Sequence, residues 1–371
     1  MKVGCVKEVK KYEFRVGLTP DNVKEYVAHG HVVYLEAGAG VGSGFGDDDY
    51  VQAGAVILPD AKSVWDASEM IVKVKEPLEE EYGLMREDQI IYTYLHLAAN
   101  RPLTEALLTR KTRAVAYETI RGESGDLPLL RPMSEVAGRL SIQEGAKCLE
   151  NHMGGIGLLL SGVPGVRRAN VVILGGGVVG INACKMAVGL GANVFILDTS
   201  LNRLAYLDDI FGQQITTLYS SAGEIERAVA MADLVIGAVL IPGAATPKLI
   251  KREYLKGMKQ GSVIVDVAVD QGGCCETTKA TYHDNPTFVV DGVVHYCVAN
   301  MPGGVSHTST IALTNATLRY GLLIAEKGIE GASISNPGLM LGVNCYKGQL
   351  TCKEVAECFG LDYVDPSSLM Q

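Results

Sequence analysis

The chain has little that would mark it for a membrane, a nucleic acid or an oxidising compartment. No unbroken apolar run reaches the ~18 residues that a membrane-spanning helix needs. The first ten residues, MKVGCVKEVK, alternate charges where a secretory leader would have an apolar centre. Lys and Arg number 33 against 42 Asp and Glu, a formal net charge of −9, without the basic clusters that phosphate backbones require. The nine cysteines are an odd number, too sparse for a disulfide scaffold, and Cys274 and Cys275 are adjacent instead of forming a CxxC pair. Cys345, Cys352 and Cys358 lack zinc-ligand spacing and read as small buried hydrophobes. These shortages predict a mildly acidic cytoplasmic protein with reduced thiols, without a metal, nucleic-acid or membrane partner.

What is present is an ordinary globular balance, 47% hydrophobic and 20% charged. At 371 residues the chain exceeds the size at which one core stops growing, so two domains are expected. Short β-rich runs (KVGCV, HVVYLE, EMIVKV, QIIYTYLH, TRAVAYETI) alternate with helical patterns over Asn22 to His29, Ala61 to Ala67 and Leu103 to Arg110, the signature of βαβ units and a parallel sheet. Arg121 to Arg131, RGESGDLPLLR, is rich in turn formers and interrupts this series. Ser134 to Asn151 then reads as a long helix, with Val136, Leu140, Ile142, Ala146 and Leu149 near the helical period. A second series runs through NVVILGGG, NVFILD, QITTLYS, DLVIGAVL, SVIVDVAVD and TFVVDGVVHY. After Ser306 a helical pattern to about Glu326 and a polar tail are too short for a third core. The expected fold is α/β: two doubly wound, Rossmann-like domains with parallel sheets and a cleft between them. The domains are set at 1–128 with 307–371, and at 129–306.

Gly175, Gly177 and Gly180 in VVILGGGVVG fit GxGxxG, with a strand before and the helix-like INACKMAVGLG after. In that context the first glycine permits the tight turn, the second lets backbone approach a pyrophosphate, and the third lets helix pack on strand. Amides at the helix start then receive phosphate oxygens. The next strand ends at Asp198, eighteen residues past Gly180, where a carboxylate binds the adenosine ribose hydroxyls and repels a 2′-phosphate. NAD is favoured over NADP, although Arg203 stands nearby. The plain alternative is a glycine-rich turn holding no ligand. FAD loops usually lie near an N-terminus, and this one is at mid-chain.

Ligands of open α/β sheets bind outside the carboxyl ends of the strands, so polar residues there are the substrate candidates. Arg15 follows the first run, Lys75 follows MIVKV, His96 ends QIIYTYLH, and Asp270 ends SVIVDVAVD. A guanidinium grips a carboxylate through two parallel bonds. A lysine polarises a carbonyl as a point charge, and an imidazole exchanges protons near neutral pH. Singly, each has a structural alternative: a solvated Arg, a packed His, a turn Asp. Spacing alone does not name the substrate.

The strings EVKKYEFRVGLTP, GAGVGSGFGDDDY, VKVKEP, YTYLHLAA, MSEVAGRLSIQEGA, VVILGGGVVG, DVAVDQGGC and HYCVANMPG resemble the alanine dehydrogenases, in order along essentially the whole chain. The resemblance implies reversible NAD-dependent oxidative deamination of L-alanine to pyruvate and ammonia by a homo-hexamer. It implies that Arg15 and Lys75 bind the pyruvate carboxylate and carbonyl, and that His96 and Asp270 are catalytic. It places cofactor contacts on Ser134, the loop Gly175 to Gly180 with Val178 and Val179, Asp198, Arg203, Ser220, Val239 and Leu240, with Asn300 and Met301 near the nicotinamide. It also joins the N-terminal portion and the C-terminal tail in one substrate domain. One departure stands out: after NMPG the family commonly has Ala-Val-Pro, whereas this chain has Gly304-Val305-Ser306-His307, which predicts a looser segment. The rival readings are a non-catalytic NAD(H)-binding subunit like that of proton-translocating transhydrogenase, and a saccharopine-type amino-acid dehydrogenase.

Overall fold

A computed structural model describes residues 1–239 and 246–370. Among them fifteen strands occur: β1 (Lys2–Cys5), β2 (Val32–Glu36), β3 (Val56–Leu58), β4 (Met70–Val72), β5 (Ile90–Thr93), β6 (Arg113–Ala116), β7 (Asn170–Leu174), β8 (Asn193–Asp198), β9 (Ile215–Tyr219), β10 (Leu234–Gly237), β11 (Val263–Asp266), β12 (Thr287–Val290), β13 (Val293–Tyr296), β14 (Val343–Tyr346) and β15 (Gln349–Leu350). The chain divides into two compact units, Met1–Met133 with Gly303–Gln371, and Ser134–Pro302. No helix of the described residues is long and apolar enough to cross a membrane.

In the first unit the sheet order is β15-β14-β6-β5-β4-β1-β2-β3. Strands β4 and β5 are buried along their whole length and read as unbroken apolar runs, because helices cover both faces of a parallel sheet. Trp65, Ile71, Ile91, Leu103, Leu107 and Ala114 belong to its core. Helix Pro20–Ala28 begins where Thr19 and Asn22 form a reciprocal cap with proline at the first position, satisfying amides that a helix start leaves over. The chain builds β1 to β3 outward on one side and β4 to β6 on the other. The order therefore reverses between β1 and β4, the topological switch point at which such sheets bind ligands.

The second unit repeats the plan, with order β12-β13-β11-β10-β7-β8-β9 and the reversal between β7 and β10. Its core includes Val172, Leu174, Val235, Leu255 and Ile264.

The structure departs from the sequence-based expectation in places with clear local causes. Neither sheet is wholly parallel. TFVVDGVVHY folds as a hairpin, β12 antiparallel to β13, because Asp291 and Gly292 both have positive φ (51° and 82°), the turn that a two-residue Asp-Gly loop favours. The tail does likewise: β14 lies antiparallel to β6 and β15 antiparallel to β14, turning at Lys347 and Gly348 (φ 49° and 87°). The expected helix from Ser134 starts three residues earlier, spanning Arg131–Cys148, since Pro132 suits a first turn. The C-terminal helix continues past Glu326 to Ser335, with a break at Gly328 (φ 70°, ψ 168°). Where the missing proline predicts slack, Ser306 Oγ donates to Gly42 O at 2.7 Å and His307 Nδ1 lies 2.6 Å from Ser43 O, with the imidazole stacked on Phe45. Cys345 and Cys352 are buried as expected, but Cys358 is exposed, its thiol directed at Ala98 O.

Candidate active site

The first unit's switch point brings two of the candidates together, Arg15 and Lys75. Arg15 lies on the segment leaving β1, and Lys75 three residues past β4, so the two cations come from the strands that flank the reversal. Arg15 is buried. Glu13 takes it side-on, Oε1 2.7 Å from Nε and Oε2 2.6 Å from Nη2, and Nη1 lies 3.0 Å from Met133 Sδ. Burial disfavours the charge, yet Glu13 more than offsets it and holds the guanidinium above its ordinary range. Burial, followed by the like charge of Arg15, pushes the Lys75 ammonium below the usual lysine range.

His96 does not end a strand. β5 stops at Thr93, and His96 sits three residues on in a left-handed backbone (φ 49°, ψ 40°) that opens the turn Leu97–Ala99. Its half-exposed ring stacks on Tyr94, centroids 5.7 Å apart and planes within 8°. Burial raises the Tyr94 phenol well above its usual range, against the opposing charge of Arg15.

Sequence reasoning missed the carboxylates behind these residues. Glu8 accepts from Val74 N (2.6 Å) and Lys75 N (3.3 Å), and is paired with fully buried Lys73 at 3.1 Å, which also meets Glu81 at 2.9 Å. Glu118 accepts from Leu95 N and His96 N. Glu8 and Glu13 lie within the quoted string around Arg15, but nothing in their spacing says what they hold.

In the second unit the glycine loop meets the requirements of a dinucleotide. Gly175 has φ 100°, and a Cβ at Gly180 would overlap Gly175 O. A Cβ at Gly177 would meet nothing within 4 Å, leaving open space over the start of helix Val178–Gly189. That helix has Gly177 as its N-cap and no side-chain cap, so its first amides, including those of Val178 and Val179, remain for an anion. Asp198 closes β8 and is fixed by two amides, Gly176 N to Oδ2 and Ser200 N to Oδ1, both 2.8 Å. Arg203 donates through Nε to Gly176 O and lies over the Tyr206 ring. Ser220 N bonds Asp198 O at 3.0 Å, and Val239 lies beside Gly175. These residues fit the pyrophosphate and adenosine ribose of NAD. Leu240 falls outside the described residues.

Ser134 is half-buried on helix Arg131–Cys148. Gly138, unnoticed in the sequence, lets that helix approach the loop, since a Cβ there would run into Val179 O. Asn300 has a left-handed backbone (φ 62°), and Met301 is buried. Asp270 is not at a strand end either. β11 stops at Asp266, and Asp270 is exposed on the turn Val269–Gln271. The strand-end carboxylate is Asp266, fully buried and accepting from Ala268 N (3.2 Å), Cys274 N (2.9 Å) and Cys275 N (3.2 Å). It ties together both ends of the loop that carries Asp270.

Known proteins resemble both units of the chain. Residues 4–137 match the family description "Alanine dehydrogenase/PNT, N-terminal domain" and residues 141–353 match "Alanine dehydrogenase/PNT, C-terminal domain". The alanine dehydrogenase of Methanococcus maripaludis is 56% identical over 364 residues, 98% of each chain. That of Halomonas elongata is 53% identical over 370 residues, the whole of both. A solved L-alanine dehydrogenase superposes with a TM-score of 0.95 at 54% identity, covering 97% of this chain and 99% of that one. A transhydrogenase from Sinorhizobium meliloti, 24% identical with a TM-score of 0.82 over 94% of this chain and 98% of its own, shares the fold. The chain belongs to the alanine dehydrogenase family.

Proposed function

We propose that the chain is an NAD-dependent L-alanine dehydrogenase that interconverts L-alanine and pyruvate with ammonium. The observation that carries the reading is the pairing of Arg15 and Lys75 on the two strands flanking the first unit's switch point; His96 follows the next strand, its ring stacked on Tyr94. Two cations at one sheet edge suit a small 2-oxo acid. In this assignment Arg15 holds the carboxylate and Lys75 the carbonyl oxygen. Residues 1–128 with 307–371 bind substrate, and 129–306 bind NAD through Ser134, the 175–180 loop, Asp198, Arg203, Ser220, Val239, Leu240, Asn300 and Met301.

Bound NAD supplies a hydride acceptor for the Cα hydrogen of alanine, whose neutral amine becomes an iminium. His96 takes a proton from the water that adds to the iminium carbon, giving a carbinolamine. The imidazolium returns that proton to the leaving nitrogen, the imidazole so regenerated takes the carbinolamine hydroxyl proton as the C–N bond breaks, and pyruvate and ammonia result with one proton left on His96 to pass to solvent. Asp270 is assigned to orient the imidazole or the water. The chain works in the cytoplasm as a homo-hexamer on this reading, which rests on the family and is checked by a light-scattering mass six times that of one chain.

The test is NADH oxidation by the purified chain with pyruvate and ammonium, and no partner protein. Turnover that needs both is expected. Turnover only with lysine and 2-oxoglutarate would point to the saccharopine-type reaction, and NADH binding without any turnover to a transhydrogenase-like subunit. His96→Ala should lower kcat by about 10²- to 10⁴-fold.

A further inference from the structure

His96 has a left-handed backbone (φ 49°, ψ 40°), a conformation uncommon outside glycine. Its backbone amide donates to a carboxylate from another strand's end. Glu118, on the turn Tyr117–Thr119 that follows β6, places Oε1 2.6 Å from His96 N and 3.1 Å from Leu95 N, with Oε2 3.3 Å from Leu95 N. Two consecutive amides converging on one anion form a small nest, and charge-assisted bonds of this kind are the strong ones. Oε1 is 3.9 Å from His96 Nδ1, beyond hydrogen-bond reach. The carboxylate therefore grips the backbone of residue 96 and not its ring. The ring is aligned separately by Tyr94, whose hydroxyl is anchored on Leu129 O at 2.6 Å.

We propose that Glu118 is a positioning residue for the proton chemistry of His96: it fixes the left-handed backbone that turns the Cα–Cβ bond of His96 off the line of β5 and lays the imidazole along Tyr94. The proposal rests on the reading of His96 as the acid–base group. Without the carboxylate the two amides lose their shared acceptor, residue 96 relaxes toward extended backbone, and the ring leaves its place while the Arg15 and Lys75 contacts persist. The expected signature is lost turnover with little change in the grip on pyruvate.

The experiment uses the full chain with NADH, pyruvate and ammonium, and compares Glu118→Ala, Glu118→Gln, Glu118→Asp, His96→Ala and the Glu118→Ala/His96→Ala double variant. A misplacement of about 1 Å costs on the order of 10²-fold. Glu118→Ala should accordingly lose about 30- to 100-fold in kcat with KM for pyruvate within about threefold of the parent. Glu118→Gln, whose amide oxygen can accept the same two N–H groups, should stay within about fivefold. Glu118→Asp, one methylene short, should fall between, and covers the case in which the alanine variant does not fold. The double variant should be no slower than His96→Ala, because the two residues act as one unit. If His96→Ala is crippled but Glu118→Ala keeps parental kcat, or changes only KM, or multiplies with His96→Ala in the double variant, the role of Glu118 is overturned and that of His96 stands. If His96→Ala itself turns over normally, the reading of His96 falls and this inference with it.

Discussion

The Glu13 carboxylate closes on Arg15 side-on, with two bonds of 2.7 and 2.6 Å between side chains that are 0% and 2% exposed. Glu13 also accepts from the backbone N of Arg15 at 3.1 Å, so one carboxylate orders both the backbone and the guanidinium of Arg15. The Nε edge, which would otherwise make the side-on grip on a ligand carboxylate, is already taken. Glu13→Ala should therefore lower kcat/KM for pyruvate by about tenfold or more, because an unclamped guanidinium must be ordered at each binding event. The same variant takes a carboxylate away from a buried guanidinium, which should appear as a lower melting temperature. Parental kcat/KM in a folded Glu13→Ala protein would show that the clamp is not used.

Lys75, proposed to hold the substrate carbonyl, should give pyruvate binding a pH dependence with a definite sign. Burial and the neighbouring Arg15 depress its ammonium below the ordinary 10.5, so it loses its proton at a lower pH than an exposed lysine. Pyruvate held by that ammonium should bind more weakly as pH rises, with KM climbing before the ordinary lysine range is reached. Lys75→Arg, which stays charged throughout, should flatten this limb even if it is slower at neutral pH. KM for pyruvate measured from pH 7 to 10 in both proteins decides the matter. A limb of the same shape in Lys75→Arg would assign it to another group.

The glycines of the dinucleotide loop separate folding from binding. A methyl at Gly180 collides with Gly175 O, whereas one at Gly177 meets only open space within 4 Å. Gly180→Ala should lower the melting temperature and NADH affinity together. Gly177→Ala should melt like the parent yet bind NADH about tenfold or more weakly, since its side chain enters the space over the helix start. Titration of NADH fluorescence beside a thermal melt distinguishes the two.

What the sequence made legible was whatever leaves a period or a local string. The buried runs of β4, β5, β7 and β10 and the glycine turn act within a few residues of themselves, and Asp198, although it reaches Gly176 N 22 residues back, stands at the strand end to which the glycine motif points. The holding carboxylates were invisible because they act at a distance along the chain. Glu8 reaches amides 66 and 67 residues on, and Glu118 reaches back 22 and 23. His96 and Asp270 were both placed on strand ends because apolar alternation ran up to them, yet the strands stop three and four residues earlier. At Asp266 a buried carboxylate collecting backbone amides ends the ladder, and at His96 the left-handed turn does. The hairpin at Asp291-Gly292 did leave a signal, a DG pair between β-branched runs, which the reading as one continuous strand passed over.

Asp233 should set part of the acid stability of the second unit. Its fully buried carboxylate accepts from Arg167 (2.7 and 2.9 Å), Lys259 (2.7 Å) and Asn170 N (2.8 Å). Burial alone would raise its pKa, but these donors outweigh it and hold the group at about 2. A carboxylate depressed on folding contributes stability above its unfolded value of about 3.9, and that contribution disappears as pH falls through the folded value. Asp233→Asn should destabilise the protein by about 1–3 kcal/mol near neutral pH. Urea melts at successive pH values should show the gap between variant and parent narrowing from about pH 4 downward. A gap that stays constant would mean the carboxylate charge contributes nothing.

Coenzyme choice should turn on Asp198 and the loop it closes. Both of its oxygens are fixed by backbone amides, so the carboxylate cannot swing away from a 2′-phosphate, and fixed negative charge is the repulsive element that specificity needs. Arg203, the nearby cation, already donates Nε to Gly176 O and rests on Tyr206, which explains why its presence in the sequence does not by itself predict NADP use. Asp198→Ala removes the repulsion and leaves Arg203 in place. The ratio of kcat/KM for NADH to that for NADPH should fall by about 10²-fold or more, mostly through loss of the NADH term, as the ribose hydroxyls lose their acceptor. Adding Ser200→Arg should recover activity with NADPH but not with NADH. If the Asp198→Ala ratio matched the parent, discrimination would have to lie elsewhere in the loop, and the two amide bonds to Asp198 would be structural only.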